Sequence, residues 1–238
     1  MNGILYDGKS KTLYNSDDEN SYIMKFKDTA TAFDGKKKGE LEGKGKLNAA
    51  ISNIIYDYLA KNGIKTHIIK ILDEESILVK KTEIILVEVI VRNIAAGSFS
   101  KKYGIEEGIL LKNASVEFSL KSDELGDPMI NESQITAIGI ASKEELDYLS
   151  EQALKINSLL CGLFEKAGIR LVDFKLEFGR SASEGEIILS DEISPDSCRL
   201  WDIDTNKKLD KDRFRRDMGN VLDGYRDVLR RLENVGQI

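Results

Sequence analysis

Along residues 171–178, LVDFKLEF, apolar and charged side chains alternate: Val172, Phe174, Leu176 and Phe178 fall on one face, Asp173, Lys175 and Glu177 on the other. That two-residue period is the mark of a strand with one buried face. A serine-rich connection from Gly179 to Gly185 leads into a second apolar run at 186–189, which ends in Ser190-Asp191-Glu192. The spacing predicts a hairpin that brings Glu177 and Asp191 together on one sheet face. Further strands are predicted at 4–6, 12–14, 22–26, 67–72, 77–80, 84–91 and 112–120. Leu47, Ala50, Ile51, Ile54, Ile55, Tyr58 and Leu59 recur at helical spacing, and Asn62-Gly63 closes that helix. Ser142 and Glu145 form a capping box that opens a long helix ending at Ala167-Gly168. Ser98 is placed to cap a short helix over 99–103. Asp210 caps a last helix whose apolar side runs from Phe214 through Met218 and Tyr225 to Leu232. Together these elements predict a two-lobed α+β protein with antiparallel sheets and flanking helices. Lys80-Lys81-Thr82 is the hinge, dividing an N-terminal lobe (1–82) from a C-terminal domain (83–238).

Composition narrows the function classes. Among 238 residues 41% are hydrophobic and 32% charged, an ordinary globular balance. The net charge of −6 provides no basic field for nucleic acid, so an anionic ligand has to be held by local lysines and arginines. No apolar run reaches the length of a membrane span and the N-terminus has no signal-peptide core, which predicts a cytoplasmic protein without a membrane partner. Cys161 and Cys198 match no zinc or redox spacing and read as free thiols, Cys198 as a small loop filler. The one histidine, His67, reads as a strand-edge residue. The chemistry therefore rests on carboxylates, lysines, arginines and metal, which favours phosphoryl chemistry.

The candidate residues follow from the same pattern. Glu177 and Asp191 form a pair of hard oxygen donors suited to Mg2+, against the plainer reading of a solvated face with a cross-strand ion pair. Lys9 and Lys11 follow Gly8 at alternate positions between two short strands and can cover the phosphates of a nucleotide, although no Walker A spacing is present. Residues 28–46 are polar, basic and glycine-rich, by composition a mobile surface loop and by function a substrate cover that offers Asp34. Glu88, Ile90 and Arg92 share a strand face. Arg92 and Ser98 flank a glycine turn and, with Arg199, can hold a second, phosphorylated ligand. Arg213, Arg215 and Arg216 stand where a helix start prefers anions, and face either a ligand or solvent.

With these residues in view, the chain resembles the phosphoribosylaminoimidazole-succinocarboxamide synthase (SAICAR synthetase) family. VEVIVRNIAAGS (87–98) and LVDFKLEFG (171–179) match its two signature stretches, and GKSK, DTATAFDGKKK, DPMINES, DEISPDSCRLWD and LDKDRFRR follow in its order. One departure is Leu86, where the family usually carries proline two residues before the glutamate. The resemblance implies an ATP-grasp-related fold and a ligase of purine biosynthesis. Such an enzyme joins L-aspartate to the carboxylate of 5-amino-1-(5-phosphoribosyl)imidazole-4-carboxylate, cleaves ATP to ADP and phosphate, and works through an acyl phosphate. By matching motif positions it implies Lys9, Lys11, Lys80 and Lys81 for ATP, with 80–87 flanking adenine, and Glu177 and Asp191 for Mg2+. It implies Arg92, Ser98 and Arg199 for the imidazole nucleotide, Asp173 and Lys175 for orientation and charge, and Asp34 for the aspartate side, with Asp127 and Asn131 behind it. It also implies a homodimer. The rival readings are a small-molecule kinase that stops after phosphoryl transfer and a nucleotide-sensing module without turnover.

Overall fold

In the computed structural model, which describes residues 3–32 and 35–235, the alternating runs form strands wherever one face finds an apolar partner. β1 (Ile4–Asp7), β2 (Lys11–Asn15) and β3 (Ser21–Phe26) make an antiparallel meander. β4 (Thr29–Ala32) and β5 (Lys37–Glu40) pair as a separate two-stranded ribbon, so the stretch read as a loop at 28–46 carries regular structure. α1 (Lys44–Lys61) follows, and β6 (Ile68–Ile71) and β7 (Ser76–Lys80) complete the first sheet in the order β1-β2-β3-β7-β6.

The second sheet begins at β8 (Thr82–Ile94), then α2 (Gly97–Tyr103), β9 (Leu110–Leu120), the two-residue β10 (Met129–Ile130), α3 (Glu132–Ala137) and α4 (Lys143–Lys166). β11 (Ile169–Ser181), β12 (Ile187–Ser190) and β13 (Cys198–Asp202) finish it, with α5 (Asp212–Arg215) and α6 (Val221–Val235) closing the chain. The order is β10-β9-β8-β11-β12, and β13 pairs with the other end of the same edge of the long β11.

The core lies behind this second sheet. Val87, Val89 and Val91 of β8 and Phe174, Leu176 and Phe178 of β11 pack with Leu146, Leu149, Ala153, Ile156, Leu160 and Leu163, the stripe of α4. A smaller cluster of Met24, Phe26, Ile77 and Val79 lies under the first sheet. α1 serves both, because Ala49 enters the small cluster while Ile51, Ile55, Tyr56 and Leu59 enter the large one. α1 has no side-chain cap from its own N-cap residue, Gly43. Asp28 supplies the missing acceptors, taking Gly43 N–H at 3.0 Å and Gly45 N–H at 2.8 Å.

Three local expectations are corrected. The last helix is split, because Asp217, Gly219 and Asn220 adopt positive φ (51°, 70° and 47°) and end α5 before α6 begins. Ala96, not Ser98, is the N-cap of α2. Lys211, not Asp210, is the N-cap residue of α5, while in the hairpin register Glu177 stands opposite Ser190. No described helix is long and apolar enough to cross a membrane.

Candidate active site

The outer face of the second sheet carries the charge that the inner face excludes. Register places Asp173 opposite Arg92, Lys175 opposite Ile90 and Glu177 opposite Glu88, with Ser115, Glu117 and Ser119 in the next strand. Arg92 Nη1 donates to Asp173 at 2.9 Å and Nε to Glu117 at 2.7 Å. Across β13, Arg199 Nη1 donates to both oxygens of Asp173, at 3.0 and 2.8 Å, and its Nε to Asp212 at 3.2 Å. Asp173 thus fixes two guanidinium groups side by side. The Ser98 hydroxyl accepts from Arg92 Nη2 at 3.1 Å.

One turn of sheet away, Lys175 Nζ donates to Glu88 at 2.7 Å and Glu177 at 2.6 Å, and Lys121 reaches Glu177 at 3.0 Å. A regular strand would send Asp191, one residue past Ser190, to the opposite face. Its backbone instead takes φ 62°, and its carboxylate turns to accept from Lys11. Lys11 also donates to Glu192 at 3.0 Å. Tyr56 holds this turn from beneath, its hydroxyl donating to the carbonyls of Ser190 (2.6 Å) and Asp191 (3.2 Å).

These networks set the ionisation. Burial alone would raise Asp191, but the ammonium groups of Lys11, Lys175 and Lys121 outweigh it and hold the carboxyl below its ordinary range. Burial would likewise neutralise Lys175, and Glu177, Glu88 and Asp191 keep it charged. Cys198 is not in a loop but opens β13 and is buried in the main core, and that burial pushes its thiol up.

Three cavities adjoin along this face. The first, about 540 Å³, is walled by Tyr22, Met24, Val79, Ile84 and Leu86, and also touches Lys80, Lys11, Glu177 and Asp191. The second, about 190 Å³, shares Lys11, Lys121, Glu177 and Asp191 with the first and adds Lys9, Lys175 and Glu192. The third, about 380 Å³, holds Arg92, Ser98, Arg199 and Arg215, and shares Lys9, Asp127, Lys175 and Asp196 with the second. The succession runs from apolar, through paired lysines and carboxylates, to arginine-rich.

Most of the sequence-predicted residues meet here. Lys9 pairs with Asp123 at 2.6 Å beside the second cavity. Lys80 borders the apolar cavity, and the Lys81 ammonium lies 5.6 Å over the ring of Tyr22, which lines it. Asp34 lies outside the described residues. Asn131 is the N-cap of α3, accepting Gln134 N–H at 2.9 Å, and its side chain is accounted for by that capping box. Among the three arginines, Arg213 donates to the carbonyls of Gly219, Asn220 and Lys208, Arg216 pairs with Glu107, and only Arg215 lines the third cavity. Sequence reasoning did not single out Lys121, Glu192, Asp196, Lys211 or Tyr56. Lys121 was within reach, because Ser115, Glu117, Ser119 and Lys121 continue the two-residue period of β9.

A family model for SAICAR synthetase matches residues 4–232. The chain belongs to the SAICAR synthetase family. Relatives of that family include the phosphoribosylaminoimidazole-succinocarboxamide synthase of Finegoldia magna, 53% identical over 96% of this chain and 98% of that one. The enzyme of the same name from Clostridium perfringens is 53% identical over 97% of each. Among solved structures, the Ehrlichia chaffeensis synthase superposes with a TM-score of 0.95 at 46% identity, covering 97% of this chain and 98% of that chain. A SAICAR synthetase in complex with ADP superposes with a TM-score of 0.93 at 46% identity, covering 97% of both. As a SAICAR synthetase-family member the chain is an ATP-dependent carboxylate–amine ligase of purine biosynthesis. It joins L-aspartate to the aminoimidazole carboxylate nucleotide with release of ADP and phosphate.

Proposed function

We propose that the three cavities hold, in order, the adenosine of ATP, its phosphates with Mg2+, and the imidazole nucleotide, and that ligation runs through an acyl phosphate. The observation that carries this reading is the shared wall. Lys11, Glu177 and Asp191 belong to both the apolar and the lysine-rich cavity, and Lys9 and Lys175 to both the lysine-rich and the arginine-rich one. A γ-phosphate between Lys9 and Lys11 then stands beside a carboxylate in the next cavity. Positioning of this kind is most of what phosphoryl transfer needs.

The carboxylate oxygen of the imidazole nucleotide attacks the γ-phosphorus and ADP leaves. The aspartate amine then attacks the acyl carbon, loses a proton, and phosphate departs with the C–O bonding pair. Lys175 neutralises charge where the two cavities meet. Arg92 and Arg199, held by Asp173, take the ribose phosphate with Ser98 in support. Lys80 and Lys81 serve the adenosine side, and Asp34 remains a candidate for the aspartate side. The donor set fits Mg2+, which takes one or two carboxylates and completes its shell with phosphate and water. Glu177 and Asp191 supply such a pair, and no group of three or more His, Cys, Asp or Glu forms a protein-only cage among the described residues. Mg2+ when bound neutralises phosphate charge.

In the same reading the lobes divide at 82/83, at the start of β8. The enzyme is a homodimer of the cytoplasm, where its two free thiols stay reduced. ADP release with ATP, Mg2+ and the imidazole nucleotide, with and without L-aspartate and with mass analysis of the product, tests the scheme. Succinocarboxamide made only with aspartate is the expected result. ADP release at full rate without aspartate would point to a kinase, and binding of ATP without turnover to a sensing module.

A further inference from the structure

Aspartate brings two carboxylates into a cavity whose cations are already committed. Every other lysine and arginine that lines the second and third cavities is in an ion pair with a neighbouring carboxylate. Lys211 lines both cavities and makes no ion pair or side-chain hydrogen bond among the described residues. The reason lies next to it. The nearby Asp196 is held by Lys44 Nζ on one oxygen, at 2.7 Å, and by the Tyr225 hydroxyl on the other, at 2.6 Å. Lys44 is fully buried and comes from the start of α1, Tyr225 from α6, so both oxygens of the carboxylate are taken by these two elements, and Lys211 acts on Asp196 through its charge without forming an ion pair. The backbone of Lys211 is fixed as well, its N–H donating to the Pro195 carbonyl at 3.1 Å.

An ammonium without an ion pair at the wall shared by two cavities is placed for a further anionic ligand. We propose that Lys211 binds a carboxylate of the incoming aspartate. This rests on the ligase reading above and adds to it the group that selects a dicarboxylic amino acid over a neutral one. Burial pushes Lys211 below its ordinary range, with Arg215 and Lys44 adding to the fall and Asp196 opposing it. A carboxylate beside it restores the charged form, so the empty site is costly and the filled one is not.

Lys211→Met in the full-length enzyme, assayed for succinocarboxamide, tests this. A charge-assisted contact of this kind corresponds to about a 10- to 100-fold effect. The KM for aspartate is expected to rise by that factor, while the KM values for ATP and the imidazole nucleotide stay within about twofold. Lys211→Arg should recover part of the loss. An unchanged aspartate KM with lowered kcat, or a rise confined to the imidazole nucleotide, overturns the proposal. If Lys211→Met does not fold, acetylation of the wild-type enzyme read by mass spectrometry decides. Aspartate or succinate, added with ATP and the imidazole nucleotide, should protect Lys211 beyond what the two nucleotides do alone, and no added protection overturns it. A wild-type enzyme that consumes no aspartate defeats the underlying reading before any variant is made.

Discussion

At the scale of single residues, Asp191 is a non-glycine residue held in the left-handed region, and the surrounding hydrogen bonds keep it there. Tyr56 is the main support. Tyr56→Phe keeps the ring packed edge-on against His67 but leaves two carbonyls without their donor. We expect a loss of about 1–3 kcal/mol in stability, read by urea unfolding, and a shift of Asp191 that lowers turnover. Unchanged turnover in a folded variant would show that the carboxylate holds its place without Tyr56. Glu177→Gln and Asp191→Asn remove the charges themselves, and each should cost about a hundredfold or more in turnover. Near-full activity in both would remove the metal assignment. Glu177 was legible from the alternation of a single strand. The company it keeps was not, because Glu88, Lys121 and Lys11 come from three other strands or their ends.

At the scale of elements, the turn into α2 shows why glycine stands at 97. Its φ is 53°, and a Cβ there would lie 2.3 Å from Arg199 Nη2. Gly97→Ala must displace the guanidinium from Asp173, so the KM for the imidazole nucleotide should rise about tenfold with that for ATP little changed. Equal rises for both would argue for general misfolding. The β4–β5 ribbon is tied down in a similar way, Lys37 Nζ donating to Phe214 O and to Asp217, each at 2.6 Å, with Gly39 directly under the Phe214 ring. Lys37→Ala should speed amide exchange across 29–40, measured by hydrogen exchange, and unchanged protection would show that the contact holds nothing. Composition read this stretch as a loop because glycine and lysine are poor strand formers, and the docking contact on α5 overrides that preference.

At the scale of the whole molecule, His67 links the two sheets. Its N–H donates to Leu189 O at 3.0 Å and its carbonyl accepts from Lys80 N–H at 2.7 Å. It is 3% exposed rather than at a solvated edge, and burial pushes its ring down to about 4. Its folded value lies below the unfolded one near 6.5, so it contributes stability that is present above pH 6.5 and lost as pH falls toward 4, up to about 3 kcal/mol. Asp210 has the opposite sign. Burial and the neighbouring Asp212 push it up to about 7, so its contribution declines as pH rises from 4 to 7. Urea unfolding at a series of pH values separates them. The advantage of wild type over His67→Gln should grow between pH 4 and 6.5, and that over Asp210→Asn should shrink between 4 and 7. A flat difference for either variant would show that its group keeps its ordinary value.

Local patterning was enough for the faces of the strands, the stripes of α1 and α4, and the charged row Asp173, Lys175, Glu177, because side-chain direction follows from local backbone geometry. The motifs of the sequence also carried the family. Which rows became neighbours depended on how distant strands and helices came together. Arg92 meets Asp173 only because β8 and β11 pair, Asp191 reaches Lys11 only because its backbone leaves the strand, and both oxygens of Asp196, beside Lys211, are taken because α1 and α6 converge on it. Each of these depends on contacts between residues far apart in the chain, which a local period cannot encode.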